Sequence, residues 1–296
     1  MSPVISVCIP AYNQEKYIEQ CLTSIIDQDI QIPYEIIVAD DCSSDGTKDI
    51  VMKLQRQHPN TIKLLTNSIN LGPTQNALLA RSHALGKYIC NCDGDDFFYK
   101  EKLRVQYEFL EANPGYIVAW HQVDFYGENG SLRKAGIVDS KGVTSVNIQD
   151  MLAFGSWGAN SSIMYRYDGV PFKTEKYTMY DFEFSLLLLS KGSGALMPNV
   201  LGGYRVGASG SLTDSLIKKR INHLREAQLK LWLEYVEQEQ EYRKFVGFFS
   251  LITLIKSIFK KEKTSSLHFK GIKHLCCLRS GPSLIGVIKK RLLFLI

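Results

Sequence analysis

Apolar positions change their spacing along this chain, and the changes mark its parts. Val4 to Ile9 is a short run rich in β-branched residues, ended by Pro10, and reads as a buried strand. Tyr17, Ile18, Cys21, Leu22, Ile25 and Ile26 then recur at helical spacing, with Asn13 as candidate N-cap. Glu35 to Ala39 reads as a second buried strand, and the turn cluster Asp40 to Thr47 separates it from a helix bearing Ile50, Val51 and Leu54. Ile62 to Leu65 is a third strand, Ala77 to Leu85 a third helix and Tyr88 to Cys92 a fourth strand. Such alternation predicts a parallel sheet covered on both faces. Right-handed crossovers bring all its strand C-termini to one edge, where ligands bind.

After about residue 115 the alternation loosens. Ile117 to Tyr126 is a predicted long strand, Gly155 to Ser162 a loop, Asp181 to Leu189 a helix, and Leu196 to Val206 a strand with a bend at Gly202-Gly203. From Thr213 to about Lys244 one long helix is expected, with Ile217, Ile221, Leu224, Leu231 and Tyr235 on one stripe. No internal repeat is visible.

Composition fits a folded chain: 45% hydrophobic and 22% charged residues over 296 positions exclude a disordered or fibrous protein. The net charge of +5 is uneven. From Arg243 onward, twelve Lys and Arg face only Glu262, so the preceding residues carry a net negative charge. Within this basic tail, Phe245 to Phe259 and Ser283 to Ile296 alternate apolar runs with Lys and Arg. That is the composition of interfacial helices on an anionic membrane, and equally of a helical subdomain packed on the core. The charge-free stretch Phe245 to Ile255 is too short for a bilayer span, and the N-terminus lacks the basic region of a secretory signal. Seven cysteines without a CxxC pair, and six histidines without metal spacing, point to buried thiols in a reducing cytoplasm.

Three polar clusters fall at the predicted strand ends. Asp93-Gly94-Asp95-Asp96 can hold one hard divalent cation and orient a ribose, with Gly94 permitting close backbone approach. The alternative, an acidic surface turn, sits poorly between the apolar flanks Tyr88 to Cys92 and Phe97-Phe98-Tyr99, since buried carboxylates are costly unless a cation satisfies them. Asp40-Asp41 can accept from a base imide or a ribose hydroxyl, or can serve as an Asx-turn; Asp45 can cap the next helix by itself. In Pro10-Ala11-Tyr12-Asn13, Tyr12 offers a flat face for a nucleobase, although a lone loop tyrosine more often packs.

Taken in order, Ser6 to Asn13, Glu35 to Thr47, Asn70-Leu71-Gly72 with Asn76, and Asp93 to Asp96 resemble the successive motifs of glycosyltransferase family 2, over about residues 1 to 210. The resemblance implies an α/β GT-A fold: a Rossmann-like, mostly parallel sheet flanked by helices, here with a C-terminal helical extension. It also implies a nucleotide-sugar donor and a Mg²⁺ or Mn²⁺ ion. Carried over by motif, Pro10, Ala11, Tyr12, Asp40, Asp41, Asn76, Asp93 and, from the late segment Tyr204 to Ser211, Arg205 are the expected nucleotide-binding residues; for Arg205 the alternative is a surface salt bridge. Asp93, Asp95 and Asp96 are the expected metal ligands. Many members have Arg-Asn where this chain has Gln75-Asn76, so a cationic contact to the donor is missing or is replaced by Arg81. Asp181 matches the family's base, with Tyr180 in place of a glutamate and Glu183 as fallback; the alternative is that Asp181 only caps its helix. Trp157, Asn160 and Glu183 are expected on the acceptor side.

These expectations describe an inverting, metal-dependent transferase that moves a sugar from a UDP-sugar to a glycan or lipid-linked glycan at the cytoplasmic face. Residues 1–212 would form the catalytic domain, with a nucleotide-sugar half (1–115) and an acceptor half (116–212). Residues 213–296 would form the basic helical extension. A sugar nucleotidyltransferase would want a glycine-rich phosphate loop after the first strand, and Pro10 to Lys16 contains no glycine. A non-catalytic sugar-nucleotide-binding scaffold is the third reading, opposed by Asp93, Asp95 and Asp181 and favoured by Gln75 and Tyr180.

Overall fold

The computed structural model describes residues 2–127, 129–134, 142–154, 157–168 and 181–207, without the side chains of 152–154 and 183. The chain divides into two compact units, Met1–Val146 with Gly158–Ser211, and Asn147–Trp157 with Leu212–Ile296. The expected long helix, the basic tail and the 212/213 boundary therefore lie outside the described residues.

In the first unit, β1 (Ile5–Ala11), α1 (Ile18–Ile26), β2 (Tyr34–Asp40), α2 (Thr47–Gln57), β3 (Ile62–Thr66), α3 (Pro73–Ser82) and β4 (Tyr88–Asn91) follow the predicted alternation. They are succeeded by β5 (Phe97–Phe98), α4 (Lys102–Ala112), β6 (Tyr116–Gly127), β7 (Leu132–Arg133) and β8 (Thr144–Val146). A 3₁₀ turn (Asn160–Ser162), β9 (Met164–Arg166), α6 (Asp181–Leu189) and β10 (Ser193–Val206) complete it. In the second unit, α5 (Ile148–Phe154) starts at a reciprocal capping box, Asn147 N–H to Asp150 Oδ2 and Asp150 N–H to Asn147 Oδ1.

The sheet order is β3-β2-β1-β4-β9-β6-β10-β5, with β7 on β6 and β8 on β10. β3, β2, β1 and β4 are parallel. β9 runs antiparallel between β4 and β6, so β6 and the parallel β10 point the same way as β1 to β4. Six strand C-termini thus meet one edge of the sheet. In β1, only Pro10 is not fully buried, as expected of a central strand covered on both faces. Ile5, Val7, Ile9, Ile36 and Val38 pack against Ile18, Leu22, Ile25, Val51 and Leu54 in one core.

Several predicted boundaries move. Pro10 does not end β1, which continues to Ala11 because Asp41 N–H bonds Ala11 O across the pair. Asn13 does not cap α1, whose cap position is Tyr17. The third helix stops at Ser82, because the following turn is pinned to β1: Gly86 N–H donates to Ser6 Oγ. The bend in β10 falls at register shifts around Val200, just before Gly202.

Candidate active site

The loops after β1 and β2 are zipped together. Asn13 N–H donates to Ser43 Oγ, Ser44 N–H to Asn13 Oδ1, Gln14 N–H to Thr47 Oγ1 and Gly46 N–H to Glu15 Oε2. Asn13 (φ 52) and Cys42 (φ 61) adopt left-handed conformations, which let both loops turn sharply at the strand ends. Asp41 is enclosed by the next loop: it accepts from Asn67 Nδ2 (3.0 Å), Leu71 N–H (2.7 Å) and Gly72 N–H (2.9 Å). Asn76, on α3, donates to Ala39 O (2.8 Å) and accepts from Asn67 Nδ2, tying α3 to the end of β2. Asp40 accepts from Ser43 N–H, while its buried Oδ1 has no partner. Tyr12 stands 47% exposed beside this group, a free aromatic face at the edge.

The acidic turn after β4 is built differently. Asp96 N–H closes the turn on Asp93 O. Gly94 lies so close to Gln14 that a Cβ there would collide with Gln14 Oε1, itself buried and unpartnered. The 3₁₀ turn clasps the acids from behind: Asn160 Nδ2 donates to Asp93 Oδ1 (2.6 Å), Ser161 Oγ donates to Asp96 Oδ2 (2.5 Å), and Asp93 N–H donates to Ser161 Oγ. Hydrogen bonds to a charged group are worth roughly 1.5–3 kcal/mol each, which makes the clasp a substantial part of the turn's stability. Burial raises all three carboxyls. For Asp95, burial and then the charge of Asp93 push it up to about 6, opposed by its own backbone N–H and by Arg205. Asp96 is raised further, by burial and then by Asp95 and Asp93.

Arg205, at the end of β10, borders these acids. Its backbone N–H donates to Asp96 Oδ1 (2.8 Å), and its guanidinium lies 4.8 Å from the Tyr17 ring centroid and 5.4 Å from that of Phe97. One terminal nitrogen donates to Gln20 Oε1, and the buried Nε has no partner. Phe97 reaches this position because Gly203 has no side chain: a Cβ there would strike the Phe97 ring.

Asp95 and Arg205 thus share one polar corner with Asp93, as the motif order predicts. Both oxygens of Asp96, an expected metal ligand, accept hydrogen bonds, from Ser161 Oγ and from the Arg205 backbone N–H. Asn160, expected on the acceptor side, donates to Asp93 Oδ1. Trp157 is a buried residue of the second unit. Asp181 is exposed at the start of α6, and its carbonyl accepts from Ser185 Oγ. Tyr180 and the Glu183 side chain lie outside the described residues. Arg81 points from α3 toward the acids: Nε bonds Asn91 Oδ1, and the guanidinium covers the Phe184 ring at 4.2 Å. Ser161 and Asn91 were not foreseen. Small polar residues in a loop carry no signal of their own, and the one hint was an amide, Asn91, inside the apolar run Tyr88 to Cys92.

Among the described residues, no three His, Cys, Asp or Glu are already arranged to hold a metal ion. Nor is any helix long and apolar enough to cross a membrane.

A family model, Glycosyl transferase family 2, matches residues 6–185 and so takes in every motif from β1 to α6. An uncharacterized protein of Mycobacterium tuberculosis is 26% identical over 82% of this chain and 72% of its own length. The putative teichuronic acid biosynthesis glycosyltransferase TuaG of Bacillus subtilis is 37% identical, over 36% of this chain and 42% of TuaG. The crystal structure of residues 1–349 of Staphylococcus aureus TarS with UDP superposes with a TM-score of 0.55 at 24% identity, covering 68% of this chain and 60% of that one. The chain therefore spans less than two thirds of TuaG and of the TarS structure. The likeness to TarS shows that the fold is of the GT-A class.

Proposed function

Because the chain belongs to glycosyl transferase family 2, we propose that it transfers a sugar, with inversion, from a UDP-sugar to a glycan or lipid-linked glycan acceptor. TarS, named as a poly(ribitol-phosphate) β-N-acetylglucosaminyltransferase, was crystallised with UDP, and TuaG is named for teichuronic acid synthesis. The UDP bound to TarS supports a UDP-sugar donor, and the two names support a role in polysaccharide synthesis. The observation that carries the reading is a matched set of unmet needs at one sheet edge. Two carboxyls, Asp93 and Asp95, are raised by burial, Asp95 also by the neighbouring charge, and the Arg205 Nε beside them lacks an acceptor. A donor diphosphate with a cation meets both needs.

In this reading Tyr12 supports the base, with Asp40 offering its unpartnered Oδ1 to the imide or ribose. Arg205 donates to the diphosphate, held for that purpose between Tyr17 and Phe97. Asp93 and Asp95, whose hard oxygen donors suit Mg²⁺ or Mn²⁺, would hold the ion, which would neutralise charge on the leaving nucleoside diphosphate. Asp181 takes the proton of the acceptor hydroxyl as that oxygen attacks the donor's anomeric carbon, and the bond to the diphosphate breaks.

The test is calorimetry with UDP, with and without Mn²⁺, followed by donor hydrolysis and transfer assays of Asp181→Asn. Metal-stimulated UDP binding is expected in both proteins, with turnover lowered by about 10³-fold or more in the variant. UDP binding that ignores Mn²⁺ would sink the donor-site reading. Near-normal turnover by Asp181→Asn would remove the base assignment alone.

A further inference from the structure

A line of hydrogen bonds reaches the acidic turn at Asp93, whereas the Arg205 backbone reaches it at Asp96. Arg81 Nε donates to Asn91 Oδ1 at 3.4 Å, Asn91 Nδ2 to Asn160 Oδ1 at 2.9 Å, and Asn160 Nδ2 to Asp93 Oδ1 at 2.6 Å. Each amide accepts through its oxygen and donates through its nitrogen, so the line has one polarity, from a cation to a carboxylate. Its direction is forced at both ends. A flipped Asn160 would set its oxygen against the Asp93 carboxylate, and a flipped Asn91 would set its NH₂ against Arg81.

The line draws on three elements: α3, the end of β4, and the 3₁₀ turn. Asn91 is 1% exposed and Asn160 8%. A buried amide is costly unless hydrogen-bonded, so two of them in register with one carboxylate amount to more than incidental packing. Among the described residues, the second oxygen of Asp93 accepts no hydrogen bond. At the other end, the Arg81 guanidinium covers Phe184, one turn into the helix that opens with Asp181, and Phe184 meets Tyr165 of β9 edge-on at 5.3 Å.

We propose that Asn160, Asn91 and Arg81 are positioning residues: they fix the rotation of the Asp93 carboxylate so that its second oxygen faces the donor diphosphate and its cation, and they tie that carboxylate to the helix bearing Asp181. This rests on the donor-site reading above. A cation contact at Asp93 is then graded by distance along the line, strongest in its dependence on Asn160 and weakest on Arg81. Outer partners of metal-binding carboxylates typically change metal affinity by about 10–100-fold.

The experiment is titration of Mn²⁺ into the full chain saturated with UDP, for wild type, Asn160→Ala, Asn91→Ala and Arg81→Met. Asn113→Ala serves as control, because the Asn113 side chain bonds Phe109 O at the end of α4, away from the acids. Mn²⁺ affinity is expected to fall about 10-fold or more in Asn160→Ala, less in Asn91→Ala and least in Arg81→Met. UDP affinity without metal should stay unchanged in Asn160→Ala and Asn91→Ala, Asn113→Ala should match wild type, and the order should not follow the order of melting temperatures. If Asn160→Ala does not fold, Asn91→Ala and Arg81→Met carry the same comparison. Metal-stimulated UDP binding in wild type, with variants within twofold of it or ranked by thermal stability, overturns the positioning role alone. No metal effect in wild type overturns the donor-site reading and this proposal together.

Discussion

Acidic clusters stand at the ends of β2 and β4, the two strands that flank β1, and the molecule treats them in opposite ways. Asp41 is surrounded by donors from its own neighbourhood, one side-chain amide and two backbone N–H groups. Its charge is spent on shaping the loop from Asn67 to Gly72. Asp93, Asp95 and Asp96 instead crowd together where burial opposes their charge, and Asp95 and Asp96 also feel their acidic neighbours. A carboxylate solvated by N–H groups is a structural anchor, whereas carboxylates raised by burial and by one another carry charge that the fold itself leaves uncompensated. Proximity to the sheet edge alone does not separate the two cases; the inventory of donors does.

The sharpest way to break this contrast is to neutralise each site in turn. Asp41→Asn places an NH₂ where an oxygen now accepts, opposite N–H donors that cannot turn away. It is expected to cost about 3 kcal/mol, since buried donors left unmet cost roughly 1–3 kcal/mol each and charged acceptors contribute more. Chemical denaturation measures this directly. A loss below about 0.5 kcal/mol would mean that Asp41 is not the anchor of its loop.

Much of this arrangement was legible in the sequence, and what was missed has physical reasons. The alternation through β4 was read because each strand is a continuous apolar run and each helix carries a stripe. Helix α4 was missed because its buried face includes Lys102 and Gln106 beside Leu103 and Leu110, which breaks the stripe. Gln106 belongs there because its amide bonds Ala119 O and Ser162 O across the core. The antiparallel β9 has only three residues, too few to show a period. Motif order placed the acids and Arg205 on one edge, but the partners of the acids come from far along the chain. Asn160 and Asp93 are 67 positions apart, and nothing in a loop of small polar residues says which carboxylate it will meet.

Neutralising the other cluster should act in the opposite sense. Asp95 has its carboxyl pushed up to about 6, from an ordinary aspartate value of 3.8, by burial and by Asp93. Folded protein therefore binds a proton that unfolded chain has released, and stability is lost as pH rises through about 4 to 6. Above that window the ionised group destabilises the ligand-free fold, by on the order of 3 kcal/mol. Asp95→Asn is thus expected to melt higher than wild type at pH 7.5, with the difference fading toward pH 4, while metal-stimulated UDP binding is lost. Parallel melting curves at both pH values would refute a raised carboxyl at this position. Stability gained at the expense of binding is the signature that separates this cluster from Asp41.

The smallest effect concerns how the two loops turn. After β4 the chain bends around contacts from the 3₁₀ turn, whereas after β2 it bends through its own backbone, with Cys42 held at φ 61. A left-handed conformation costs a side-chain-bearing residue roughly 1–2 kcal/mol, and glycine escapes that cost while losing about 0.5–1 kcal/mol through its freer unfolded chain. Cys42→Gly is therefore expected to gain a few tenths to about 1 kcal/mol, with donor binding unchanged because the Cys42 side chain makes only a long contact to Ser68 O (3.7 Å). Asn13, at φ 52, offers the internal comparison. Its side chain tolerates the conformation and its Oδ1 accepts from Ser44 N–H, so Asn13→Gly gives up a hydrogen bond without relieving comparable strain. Thermal melts of the two variants should move in opposite directions; a shared direction would mean that side-chain bonding, not backbone geometry, sets the turn after β2.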